Sequence, residues 1–161
     1  MSLRAAAAAL IIIATPMLAA CQPNGTTAGA MERSPAGLEQ VPLTITTTAG
    51  KKHRFTVEVA RTEAQQAQGL MNRESLAPDR GMIFPYDPPV MASFWMKNTL
   101  IPLDMIFIRA DGTIARIAAM TRPYSLDPVE SGEPVAAVLE MAGGRAGELG
   151  LGPGDRVRWG G

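Results

Sequence analysis

Cysteine, histidine and aromatic residues are scarce in this chain: one Cys, one His, two Trp, two Tyr and four Phe among 161 residues. A single cysteine excludes an internal disulfide and any C-x-x-C chemistry, and a single histidine excludes an H-E-x-x-H metalloprotease helix. No G-x-S-x-G elbow occurs either, so serine and metal-dependent hydrolysis are disfavoured. Charge of one sign is also missing, with 15 basic against 15 acidic residues. Removing Arg4 with the leader leaves 14 minus 15, a net of −1. The arginines are scattered along the chain, and a near-neutral balance offers no basic field, so no nucleic-acid partner is expected. Long apolar runs are lacking too. Ala5 to Ala14 falls short of the roughly 20 residues of a membrane span.

What the amino terminus does hold is a secretion signal: Arg4, the apolar run, then Thr15-Pro16-Met17. It ends in Leu18-Ala19-Ala20-Cys21, which resembles the bacterial lipoprotein signal, with cleavage ahead of Cys21 and acylation of its thiol. The expected organisation is a signal peptide over 1–20, lipidated Cys21 with a flexible tether to residue 40, and one β-rich domain over 41–161. Two or three acyl chains anchor stably. Gln22 follows the cysteine, and by resemblance to sorted lipoproteins this places the domain on the periplasmic side of the outer membrane. The tether, Gln22 to Gln40, is small, polar and unperiodic. A monomeric domain is expected beyond it.

The domain reads as short strands. Leu43–Thr48 alternates, Ala49-Gly50-Lys51-Lys52 turns, and Arg54–Ala60 returns. Thr62 with Gln65 forms a capping box ahead of a helix over Glu63–Met71. Met82-Ile83-Phe84 is a short strand stopped by Pro85. Phe94–Thr99 alternates, with Phe94, Met96 and Asn98 on one face and Trp95, Lys97 and Thr99 on the other. Met105–Ala110 and Thr113–Ala119 form a hairpin about Asp111-Gly112. Val135–Glu140 is a buried strand, Arg145–Leu149 a short helix and Val157–Trp159 the last strand. The fold class is mainly β (α+β): a barrel-like or rolled antiparallel sheet of about seven short strands with one or two short helices.

Several blocks occur in a fixed order: Gly69-Leu70-Met71-x-Arg73, Gly81-Met82-x-Phe84, Phe94-Trp95-Met96-Lys97-Asn98-Thr99, Ile101-Pro102-Leu103-Asp104, Val138-Leu139-Glu140 and Gly154-Asp155-x-Val157. Together they resemble the domain of unknown function 192 family, over nearly all of Phe55 to Val157. The resemblance implies a compact β-rich domain, often secreted or lipid-anchored, and no established activity.

Polar residues set among large apolar ones are either buried and paired or placed to meet a ligand. Arg73, Lys97, Asn98, Asp104 and Glu140 are the set in question, with Trp95 beside them. One reading is an internal network in which Lys97 or Arg73 pairs with Asp104 or Glu140 and Asn98 bonds backbone. The other is a pocket for a small polar or anionic ligand such as a carboxylate, phosphate or sugar. On that reading the domain is a non-catalytic binding or accessory module for such a ligand, an envelope component or a partner protein. The alternative is a cell-envelope hydrolase using Asp104 and Glu140 as paired carboxylates with Lys97 as a base. No metal or cofactor is expected: His53 sits beside two lysines and reads as exposed and unpartnered. Met71, Met82, Met91, Met96 and Met105 read as core filling.

Overall fold

The computed structural model describes residues 33–160. The expected leader and lipidated Cys21 lie outside them. The chain forms β1 (Gln40–Thr46), β2 (Lys52–Val59), α1 (Glu63–Gln68), β3 (Arg80–Phe94), β4 (Leu103–Ile108), β5 (Ile114–Thr121), β6 (Val129–Ala142), α2 (Arg145–Leu149) and β7 (Arg156–Trp159). One seven-stranded sheet runs in the order β5-β4-β6-β3-β2-β1-β7. Its two edges meet at one end, where Ile114 N donates to Asp155 O and Val157 N to Gly112 O, each at 2.8 Å. The sheet is therefore curled into a half-barrel, mainly β with two short helices. One neighbouring pair, β2–β3, is parallel. The segment carrying α1 returns the chain to the starting end of β2, and such a crossover makes the following strand parallel.

Local chemistry sets the element ends. Thr62 caps α1 with its hydroxyl on Gln65 N, and the Gln65 side chain accepts from Thr62 N, completing the capping box. Gly69 ends the helix at φ 47°, a turn short of Met71. Ahead of β1, Arg33 bridges Glu39.

β3 is far longer than its Met82–Phe84 segment suggests. Pro85, Pro88 and Pro89 do not end it, because the ladder to β6 is interrupted between Pro85 and Val90. Prolines fall where no amide donor is required. Beyond Phe94 the expected strand does not form. Asn98 takes φ 52°, a left-handed conformation that asparagine tolerates, and the chain turns there. Met96 and Thr99 then point inward, while Lys97 and Asn98 are exposed.

The sheet buries both faces of its centre. Residues opposite one another across β3, β6 and β4 share a face: Ile83, Leu139 and Ile106 on one, Phe84, Val138 and Phe107 on the other. The first face closes the barrel interior with Leu43, Ile45, Val57 and Val157. The second packs under Ala60, Leu70, Ala92 and Met96. Burial on two sides explains why all six residues of β4 are buried and why its sequence shows no alternation. Met82, Met96 and Met105 fill the second cluster, but Met91 is 62% exposed, so core filling does not extend to it.

β3 and β6 approach closely at Gly81, where an added Cβ would stand 2.5 Å from Glu140 O. Gly81→Ala is therefore expected to destabilise the fold by about 3 kcal/mol, the upper range for overpacking against backbone. Gly147→Ala, with open space around it, is the control. Thermal denaturation of the two variants should show a large drop only for Gly81→Ala.

Candidate functional site

Paired positions on β6 and β4 decide which polar residues can meet. Glu140 stands opposite Met82 and Met105, on the second face. Asp104 stands opposite Met141, on the barrel-interior face. The two carboxylates project from opposite sides of one sheet, so the paired arrangement required for two-carboxylate hydrolysis is not formed.

Asp104 is fully buried and fully engaged. Its Oδ1 accepts from Met120 N at 2.8 Å and Gly144 N at 2.9 Å, and its Oδ2 accepts from Ala146 N at 2.7 Å. It thus supplies the cap that α2 lacks from its own N-cap residue, Gly144. It also pins Met120, which takes φ 53° at a bulge between β4 and β5. Arg73 is likewise occupied. Its guanidinium forms two bonds of 2.6 and 2.7 Å to the buried Glu58, whose hydrogen bonding holds it above the usual arginine range. Glu58 was not among the expected partners. Its position within the β2 pattern Phe55-x-Val57-Glu58-Val59, buried at its far end, was the available signal.

Lys97 and Asn98 are not buried network members. The Lys97 ammonium lies 5.1 Å from the Trp95 ring centroid, a cation–π contact on the surface. Asn98 accepts from Asn72 N through its carbonyl at 2.8 Å and places its amide 3.9 Å from Met71 Sδ. His53 differs from expectation as well. It faces the barrel end opposite Ile45, partly buried, with Nε2 unpartnered and its pKa lowered, chiefly by burial.

Glu140 is the exception among these groups. It is 5% exposed; its carboxyl makes no hydrogen bond among the described residues, and its oxygens open onto space rather than being sealed as His53 Nε2 is. Burial alone pushes its pKa up to about 8. It lines a cleft of about 320 Å³ between α1 and the end of β3, walled by Phe84, Tyr86, Phe94 and Trp95. Among the described residues Tyr86 is the only other ionisable group there, its phenol pushed up to about 12 by burial and then by Glu140. Phe84 and Phe94 meet edge to face at 5.0 Å, and Phe94 meets Phe107 at 6.5 Å, which fixes one wall. The opposite wall is α1, tied down by Gln66 Nε2 donating to Ala60 O and Pro85 O. Trp95, 51% exposed, stands at the rim. Of the six expected site residues, the structure brings Trp95 and Glu140 to one cleft, puts Lys97 at its Trp95 edge, and places Arg73, Asn98 and Asp104 elsewhere. The cleft can hold a small ligand against aromatic faces and offer it one neutral carboxyl.

The sign of the Glu140 effect on stability follows from its shift. A carboxyl with a folded pKa near 8 against a reference of 4.5 favours folding when protonated. That contribution is complete below about pH 4.5 and is lost as pH rises to about 8, a change on the order of a few kcal/mol. Glu140→Gln should flatten the fall of melting temperature across this window and be the more stable protein at pH 9. Equal pH profiles would contradict the assignment. Asp104→Asn should lower stability at neutral pH by roughly 2–4 kcal/mol, since an amide NH₂ replaces one charged acceptor of a backbone donor.

Solved structures resemble this fold closely. A protein of unknown function from Novosphingobium aromaticivorans DSM 12444 is 50% identical, with a TM-score of 0.78 over 82% of this chain and 94% of that one. A protein from Sinorhizobium meliloti 1021, described as "a putative transcription regulator", is 43% identical, with a TM-score of 0.74 over 76% and 95%. Comparison with curated proteins gives no match. The profile described as "Uncharacterized ACR" matches residues 44–159. The chain belongs to this family, the domain of unknown function 192 family.

Proposed function

We propose that this protein is a non-catalytic binding module, held by lipid at Cys21 on the periplasmic side of the outer membrane, whose Glu140 cleft takes a neutral polyhydroxylated ligand such as a glycan unit of the envelope. The observation that carries this reading is an unpartnered, buried carboxyl lining an aromatic cleft. With its pKa near 8, Glu140 is mostly protonated at neutral pH. A protonated carboxyl both donates and accepts, as a sugar hydroxyl pair requires. Trp95 and Tyr86 supply faces for apolar sugar edges. An anionic ligand is disfavoured, because Arg73 is committed to Glu58 and no cation among the described residues lines the cleft. Paired-carboxylate hydrolysis lacks support once Asp104 lies on the other face.

Titration of the full-length chain with soluble N-acetylglucosamine oligosaccharides, uncharged fragments of the peptidoglycan type, followed by tryptophan fluorescence, tests the reading. Saturable binding at pH 7 is expected, with the signal lost in Trp95→Phe and binding lost in Glu140→Ala. Wild-type affinity should weaken above about pH 8 as Glu140 ionises, whereas Glu140→Gln should show no such step. Binding confined to carboxylate or phosphate ligands, or turnover of the fragments, would count against it. For the anchor, Cys21→Ala should leave the detergent phase or remain unprocessed; unchanged partitioning and processing would remove the lipid from the account.

A further inference from the structure

Strand pairing gathers cations that are far apart in the sequence. β1 is flanked by β2 on one side and β7 on the other. Its outward residue Thr44 stands opposite Arg54 and Arg158, and Thr46 stands opposite Lys52 and Arg156. All four cations are exposed. Two strand spacings separate the cations across β1 by about 10 Å, and two residues along a strand separate them by about 7 Å. The result is a rectangle of positive charge with two threonine hydroxyls down its middle. These residues line a groove of about 600 Å³ in which no acidic side chain of the described residues takes part.

The groove's cations are largely uncommitted. Among the described residues Lys52, Arg54 and Arg158 form no ion pair, and Arg156 donates only to the Asp111 carbonyl at 2.9 Å. Nearby acids are mostly engaged: Asp111, which feels the Arg156 charge, spends its Oδ1 on Thr113 N and Oγ1. Asp155 spends both oxygens on Thr48 N and Gly152 N, and Glu58 is bound to Arg73. Asp79 borders a neighbouring pocket together with Thr44 and Arg54 and lies 3.9 Å from Arg80. Four like charges on adjacent strands repel. An outward sheet face has no packing need for them.

We propose that this groove is a binding site for a compact oligophosphate anion, a pyrophosphate- or tripolyphosphate-type chain, free or as the terminal group of a larger molecule. Phosphates at the two ends pair with the cations of β2 and β7, the arginine forks engaging two oxygens each. Thr44 and Thr46 donate their hydroxyls to the middle of the chain. The concave rectangle suits a compact ligand better than the flat surface of an anionic bilayer. The site shares no lining residue with the Glu140 cleft and does not depend on the glycan reading.

Calorimetric titration of the full-length chain in zwitterionic detergent with sodium tripolyphosphate tests this. Saturable one-to-one binding is expected, weakening with added salt. Arg54→Ala and Arg158→Ala should each weaken it about tenfold, the scale of one charge-assisted contact. Their ligand-free melting temperatures should hold or rise slightly, since each removes like-charge repulsion. Lys51→Ala, exposed in the neighbouring turn but outside the groove, should bind as wild type. Three results would overturn the proposal: no saturable binding by the wild type, equal binding by sulfate at matched ionic strength, or unaltered affinity in both arginine variants. Binding to bicelles containing phosphatidylglycerol but not to tripolyphosphate would likewise overturn it, assigning the face to a membrane surface.

Discussion

A sheet covered on both faces has no wet side at its centre, and that constraint governs every polar residue carried by β3, β4 and β6. A strand buried on one face hides alternate residues and leaves the others to water. Here β6 presents Leu139 and Met141 to the barrel interior and Val138 and Glu140 to the second apolar cluster. Either position buries a side chain. A carboxyl in such a place must find donors, lose its charge or meet a ligand.

The other buried acids take the first course. Asp104 accepts three backbone amides and so ties β4 to the entry of α2 and to the end of β5. Asp155 accepts two and fixes the turn before β7. Glu58 takes a bidentate arginine. Each of these carboxylates replaces solvation with donors and holds two distant segments together. Glu140 has no such donors, and it alone lines a cleft with room beside it. Among the described residues three of the four buried acids are fasteners, and Glu140 is the one left for the proposed ligand. The contrast between Asp104 and Glu140 is sharper because they lie on neighbouring strands.

Much of the architecture was legible locally. The Thr62–Gln65 capping box, the Asp111-Gly112 hairpin and α2 at Arg145–Leu149 form where their side chains and turn residues dictate. Glu140 stood out because an acid between Leu139 and Met141 breaks an apolar run. What local pattern could not supply was partnership across the chain. Arg73 meets Glu58, 15 residues away, and Asp104 meets Ala146, 42 residues away, through folding that neither segment encodes alone. The prolines of β3 looked like strand breakers because the interruption that accommodates them belongs to its pairing with β6. Alternation over Phe94–Thr99 failed for a related reason. Met96 N is taken by Ser125 O and Asn98 turns left-handed, so the periodicity describes a segment that leaves the ladder after Phe94. The basic rectangle was hidden in the same way, its arginines scattered in sequence and aligned only by register.

Direct titration of the Glu140 carboxyl tests this account most plainly. With ¹³C-labelled glutamate, the Glu140 side-chain resonance, assigned by its loss in Glu140→Gln, should titrate with a midpoint near 8. It should move when a glycan fragment is added. A midpoint in the ordinary carboxylate range would mean that the group is solvated or paired in solution, and the cleft would lose the feature that marks it as a site.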